Sequence, residues 1–128
     1  MALTLQNQFT QPYPVMVGNK QYTAFTFAAV SSTALTPTLS AGLYRFNVYL
    51  VTTTGVSETV TVNVIYTDDQ QAQTKAVLSA VDVTATGNAY SGVAILELTG
   101  ASTINYSIAI GTGSTAVGNI YMVAERIF

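Results

Sequence analysis

The sequence predicts an all-β sandwich or barrel, and three observations predict it. Apolar residues recur at period two in several short runs, which is the pattern of half-buried strands. Clusters of Gly, Asp, Asn, Ser and Thr separate those runs at fairly regular spacing. No window carries a sustained helical stripe; the best helical candidate is the single turn Asp69–Lys75, DQQAQTK, which reads equally as a polar loop.

Taken in order, residues 1–19 read as an arm or edge segment and residues 20–128 as the domain. Gln6, Asn7, Gln8, Gln11 and Pro12-Tyr13-Pro14 do not suit a sheet interior. A weak strand follows over 21–30. Tyr44, Phe46, Val48 and Leu50 then alternate with Arg45, Asn47 and Tyr49, and Val60, Val62, Val64 and Tyr66 alternate with Thr59, Thr61 and Asn63. Two weaker strands read at 74–80 and 90–98. Ile104, Tyr106, Ile108 and Ile110 alternate with Thr103, Asn105 and Ser107. The turns fall at Ser40-Ala41-Gly42, Thr54-Gly55, Asp68-Asp69, Thr86-Gly87-Asn88, Thr99-Gly100-Ala101 and Gly111–Ser114.

Composition excludes whole classes of chemistry. The 128 residues contain no Cys, His or Trp, so disulfides, thiolate chemistry and the commonest general base and metal ligand are missing. Charged residues make up 8% of the chain, against about 25% in an average domain. The four basic residues, Lys20, Arg45, Lys75 and Arg126, are scattered. Nucleic acid and anionic membrane surfaces both require a basic stripe, so neither is an expected partner. No run reaches the roughly 20 apolar residues of a membrane helix. The opening MALTLQNQFTQ has neither a basic nor a long apolar run, so no cleaved leader is expected. Solubility instead falls to neutral hydrogen-bonding residues, which include 20 Thr. A surface so poor in charge resists sheet-to-sheet association weakly and suits a subunit locked into an assembly.

Candidate sites are few. Asp68, Asp69 and Asp82 are weak metal candidates, since hard cations take carboxylates and loop carbonyls, but no calcium-loop spacing is present and Asx capping of a turn explains them equally. Glu97 reads as a strand-end charge on the face of Ser91, Val93 and Ile95, and Arg45 as the natural partner of a carboxylate. Gly111–Gly118 resembles a phosphate loop but lacks the Lys after its last Gly and precedes a strand, not a helix. A Ser–His pair is impossible here. The expectation is therefore a non-enzyme without cofactor or metal. Eight Tyr residues suit either packing, at a core or an interface, or stacking on sugars.

The last strand, 118–128, is apolar on both faces. Ile120, Met122 and Ala124 share one, and Tyr121, Val123 and Ile127 the other. Such a strand needs cover on both sides; with no helix to hand, a second copy is the simplest cover. Ile120, Tyr121, Met122, Val123, Ile127 and Tyr106 are accordingly the candidate oligomer-interface residues.

The segment Ala41-Gly42-Leu43-Tyr44-Arg45-Phe46-Asn47-Val48 resembles the G-x-Y-x-F strand of the C1q/TNF-like jelly rolls. Tyr90-Ser91-Gly92-Val93-Ala94-Ile95-Leu96-Glu97-Leu98 resembles the S-G-x-x-x-L-x-L strand of that family. The resemblance covers about 21–128 and departs at Gly100-Ala101, where the family often has Gly-Asp. It implies an antiparallel jelly-roll β-sandwich and a compact homotrimer with the last strand near the three-fold axis. The Thr-, Ala-, Val- and Gly-rich, Cys-free composition is similar to that of tailed-bacteriophage virion proteins. That likeness implies a capsid decoration (cement) protein or a short head or tail fibre, assembled in the host cytoplasm and held to capsid or tail proteins, with the N-terminal arm as one docking element. The alternative is a C1q- or lectin-like module that binds a glycan or cell-surface partner through the 87–90 and 111–118 loops.

Overall fold

A computed structural model describes residues 13–69, 71–113 and 115–128. It contains eight strands: β1 Val15–Thr26, β2 Val30–Ala34, β3 Gly42–Thr54, β4 Thr59–Asp68, β5 Gln71–Asp82, β6 Ala89–Leu98, β7 Asn105–Ile110 and β8 Val117–Arg126. They form two four-stranded antiparallel sheets, ordered β1-β8-β3-β6 and β2-β7-β4-β5. Every connection except the β4–β5 hairpin crosses from one sheet to the other. Eight strands in two sheets wound this way make a jelly roll, the architecture expected from the sequence.

Alternation decides which side chains meet between the sheets. Tyr44, Phe46, Val48 and Leu50 of β3 face Val60, Val62, Val64 and Tyr66 of β4, and all are buried, as are Leu96, Leu98, Tyr106 and Ile108. The expected strand faces of β3, β4 and β7 are therefore the observed ones. A partly buried hydroxyl pair ties the edge of one sheet to the middle of the other: Tyr22 and Tyr106 share a hydrogen bond of 2.8 Å. Burial, and then that bond, raise the Tyr106 phenol above its usual range.

Residues 15–19 form the start of the edge strand β1, where Val15 pairs with Arg126 and Met16 with Glu125; residues 1–12 lie outside the described residues. Two local expectations differ from the structure. The single run read at 21–30 is two strands in different sheets, β1 and the start of β2. Asp69–Lys75 holds no helical turn: Asp69 sits in the β4–β5 hairpin at φ 39°, and 71–75 pair with β4 from Asp68 to Val64.

The edge strands β1 and β5 are both interrupted by bulges. Ala24 and Ala80 occupy them with φ of 50° and 46°, left-handed values that cost an L-residue energy unless the surroundings fix them. Each is fixed in the same way. The Ala24 N–H donates to Asn119 Oδ1 at 2.8 Å, and the Ala80 N–H to Thr61 Oγ1 at 2.9 Å. The bulges bend both edges, which discourages open-ended strand addition.

Candidate functional site

The outer face of the β1-β8-β3-β6 sheet is built of three cross-strand rows. The strand pairings set Met16, Glu125, Arg45 and Ile95 in the first row, Asn19, Val123, Asn47 and Val93 in the second, and Gln21, Tyr121, Tyr49 and Ser91 in the third. Met16 and Val93 are each 60% exposed, Ile95 47% and Tyr49 45%. The Tyr49 and Tyr121 rings lie 6.4 Å apart across β3 and β8. Six of these twelve positions carry large apolar or aromatic side chains that are exposed or half-buried, a feature of interaction surfaces.

Its charged groups sit on the two central strands, β8 and β3, while the neutral polar Asn19, Gln21 and Ser91 lie on the edge strands. Glu125 Oε1 accepts from Arg45 Nε at 3.1 Å, from Arg45 Nη2 at 3.0 Å and from Asn47 Nδ2 at 3.0 Å. The expected carboxylate partner of Arg45 is thus its neighbour on β8. Glu97 is exposed one row farther along β6, across from Leu43.

The opposite outer face has a different character. On β4, Thr61, Asn63 and Ile65 point outward beside Ala109, Ser107 and Asn105 of β7. Asn63 Nδ2 donates to Ser107 Oγ at 3.2 Å. Among the described residues, none of the exposed large hydrophobic side chains lies on this face. The two sides of one sandwich therefore differ, one apolar and aromatic, the other neutral and polar.

The sequence-named interface residues divide between core and surface. Ile120, Met122 and Tyr106 are fully buried between the sheets, so they cannot meet another chain; strand alternation pairs them with core positions of β1, β3 and β4. Tyr121 and Val123 lie half-buried on the outer face. Ile127 is half-buried where the chain leaves β8, its N–H donating to Leu43 O at 2.8 Å. Of the weak metal candidates, Asp68 and Asp69 stand at one end of β5 and Asp82 at the other, about 35 Å apart for a strand of this length. They do not converge. Asp68 instead accepts from Gln73 Nε2 at 2.9 Å.

One acid that the sequence did not single out accepts three hydrogen bonds, as many as Glu125. Glu58 is buried at the end of the sandwich where the 55–58, 83–88 and 111–116 connections meet. Its Oε1 accepts from the Thr59 and Thr112 N–H groups, each at 2.8 Å, and its Oε2 from the Thr112 hydroxyl at 2.8 Å. These clamp the start of the Gly111–Gly118 loop to the domain. They line an open cleft of ≈ 460 Å³ with Ser57, Asp82 and Thr84. The bond from the Thr59 N–H holds the Glu58 carboxyl below its ordinary value of 4.5; burial opposes it, and the Thr112 bonds reinforce it. Asp82 is lowered in the same sense by the Thr84 hydroxyl and backbone.

A folded-state pKa below the unfolded one adds stability above the unfolded value, and that stability is lost as pH falls through the folded value. Wild-type stability is therefore expected to drop below about pH 4.5. Glu58→Gln should be less stable at neutral pH and should show a shallower acid loss. Denaturant midpoints at pH 7 and pH 3 check this; parallel losses in the two proteins would remove Glu58 from the account.

No family model and no curated protein matches the chain. Solved structures do match its fold. It is similar to the VP2 subviral particle of infectious bursal disease virus over 90% of this chain and 37% of that one, at 13% identity and a TM-score of 0.50. It is similar to the Eiger TNF of S. frugiperda over 92% of this chain and 94% of that one, at 10% identity and a TM-score of 0.47. A Clostridium thermocellum xylanase 10B fragment, CBM22-1 with GH10 modules and xylohexaose bound, matches over 92% of this chain and 29% of that one, at 18% identity and a TM-score of 0.46. The chain spans only about a third of the VP2 and xylanase chains. At these identities the likeness is one of fold, the jelly roll.

Proposed function

We propose that this chain is a non-enzymatic structural protein of a virion, a homotrimer that decorates the particle exterior as a cement protein or short fibre. The observation that carries the assembly is the difference between the two outer faces. Met16, Tyr49, Val93 and Ile95 are exposed on one sheet, and no comparable residue is exposed on the other among the described residues. Three copies around an axis would bury the apolar faces and leave the polar ones outward. The virion half of the proposal rests on the phage-like composition, with 8% charged residues and no Cys, and draws support from the fold being shared with the VP2 subviral particle of a virus.

Light scattering tests the assembly: the expected mass is three times 13.5 kDa, and a stable monomer at micromolar concentration overturns it. Immunogold microscopy of particles purified from the source culture tests the location, since a chain absent from them is not a virion component. The glycan-binding alternative has its own surface, the polar cleft around Glu58. Among the described residues no aromatic side chain lines that cleft, so they offer a sugar no stacking platform there, and the assembly reading is preferred. Binding on a glycan array would reverse that preference.

A further inference from the structure

We infer that Arg45 and Glu125 are the specificity-determining residues of the self-interface, each copy's pair docking against the pair of another copy; this rests on the proposed assembly through the β1-β8-β3-β6 face. The pair lies in the first cross-strand row, beside Met16 and Ile95 and next to Val93 and Val123 in the second. All three hydrogen bonds of the cluster converge on one carboxylate oxygen, Oε1. Among the described residues no hydrogen bond reaches Glu125 Oε2 or Arg45 Nη1. Within the chain the pair is neutralised, yet one strong acceptor and one strong donor on it point to no protein partner.

That matters once the face is covered. A purely apolar partner would take both groups out of water unpaired, at a cost that rises steeply with desolvation. The covering surface must therefore offer a donor to Oε2 and an acceptor to Nη1. A second copy of this chain carries both, on the same face and in the same setting. The apolar rows then supply attraction in many orientations, and the charge pair selects among them, a role for which buried polar groups are best attested.

The test uses charge reversal and mixing. Arg45→Glu places two acids side by side on the face, and Glu125→Arg places two bases there. Each variant alone should lose at least tenfold in assembly affinity, and an equimolar mixture should regain part of it as mixed oligomers in native mass spectrometry, since a trimer of two variants keeps one like-with-like contact. The double variant R45E/E125R restores the pair within one chain and should assemble with itself. If the single variants fail to fold, the mass of that double variant decides, since a folded monomer overturns the inference. Single variants that assemble like wild type, or mixtures without mixed species, also overturn it. These outcomes are separable from failure of the underlying reading. A monomeric wild-type chain removes the assembly itself, whereas an oligomer that Val93→Glu dissociates and charge reversal does not touch removes only the role of the pair.

Discussion

Val93→Glu should dissociate the assembled protein while leaving the subunit folded. Val93 is 60% exposed in the single chain, so a glutamate there stays hydrated and shifts subunit stability by no more than about 0.5 kcal/mol. In the assembly the same position lies in the second cross-strand row, beside Asn47 and one strand from Val123. Covering it would strip a carboxylate of water with no cation opposite, since Arg45 is already engaged by Glu125. An unpaired charge buried in an interface costs several kcal/mol, and each 1.4 kcal/mol is tenfold in affinity. A loss of at least about a hundredfold follows from these figures. Sedimentation velocity reads the dissociation and circular dichroism the retained fold. Ala109→Glu is the control: it is exposed on the polar face, across from Thr61, and should leave the mass unchanged. If Val93→Glu assembles like wild type, the apolar face is not where copies meet.

Sequence and structure agree most where a strand has one wet and one dry face. The inward and outward faces of β3 and β4 were legible because Tyr44 to Leu50 and Val60 to Tyr66 alternate into the core without a break, although both strands run on beyond those stretches. β2 was not. It has five residues, four of them exposed, so burial imposes no pattern on it. β5 was read only as a weak strand at 74–80: as an edge strand with few buried positions, its start, QAQTK, carries no alternation to set it apart from a polar loop. The last strand shows a different limit. Its two apolar faces were plain, but alternation cannot say which face turns inward. The pairing of Ile120 with Leu50 and Met122 with Val48 decides it, and thereby moves Ile120, Met122 and Tyr106 from interface to core. Glu58 gave no local signal, because two of its three donors belong to Thr112 on a connection 54 residues away. The outer-face rows were invisible for the same reason, since each is assembled from four strands distant in the chain.

Gly118→Ala should be among the most damaging small substitutions in the protein. In the sequence Gly118 closes the glycine-rich Gly111–Gly118 run and opens the last strand. In the structure it lies inside β8, buried between Phe25 of β1 and Thr52 of β3. A Cβ there would fall on the carbonyl oxygen of Val51 and 2.5 Å from Phe27 Cζ. The oxygen belongs to the backbone of the adjacent strand and cannot turn away as a side chain would. The Phe27 ring is fully buried, and its N–H is held by the Ala116 carbonyl at 2.9 Å. Relief therefore requires β3 and β8 to separate at the point where they pair. Forcing a methyl group into a packed site costs about 1–3 kcal/mol, and with backbone as the obstacle the upper end, about 3 kcal/mol, is expected. That corresponds to roughly 10 °C in melting temperature for a domain of this size. Gly100→Ala isolates the cause. Nothing lies within 4 Å of its Cβ position, so removing backbone freedom from the unfolded chain is all that remains, and the melting temperature should hold or rise slightly. Equal melting temperatures for the two variants would mean that β3 and β8 yield where the packing of Phe27 against Gly118 says they cannot.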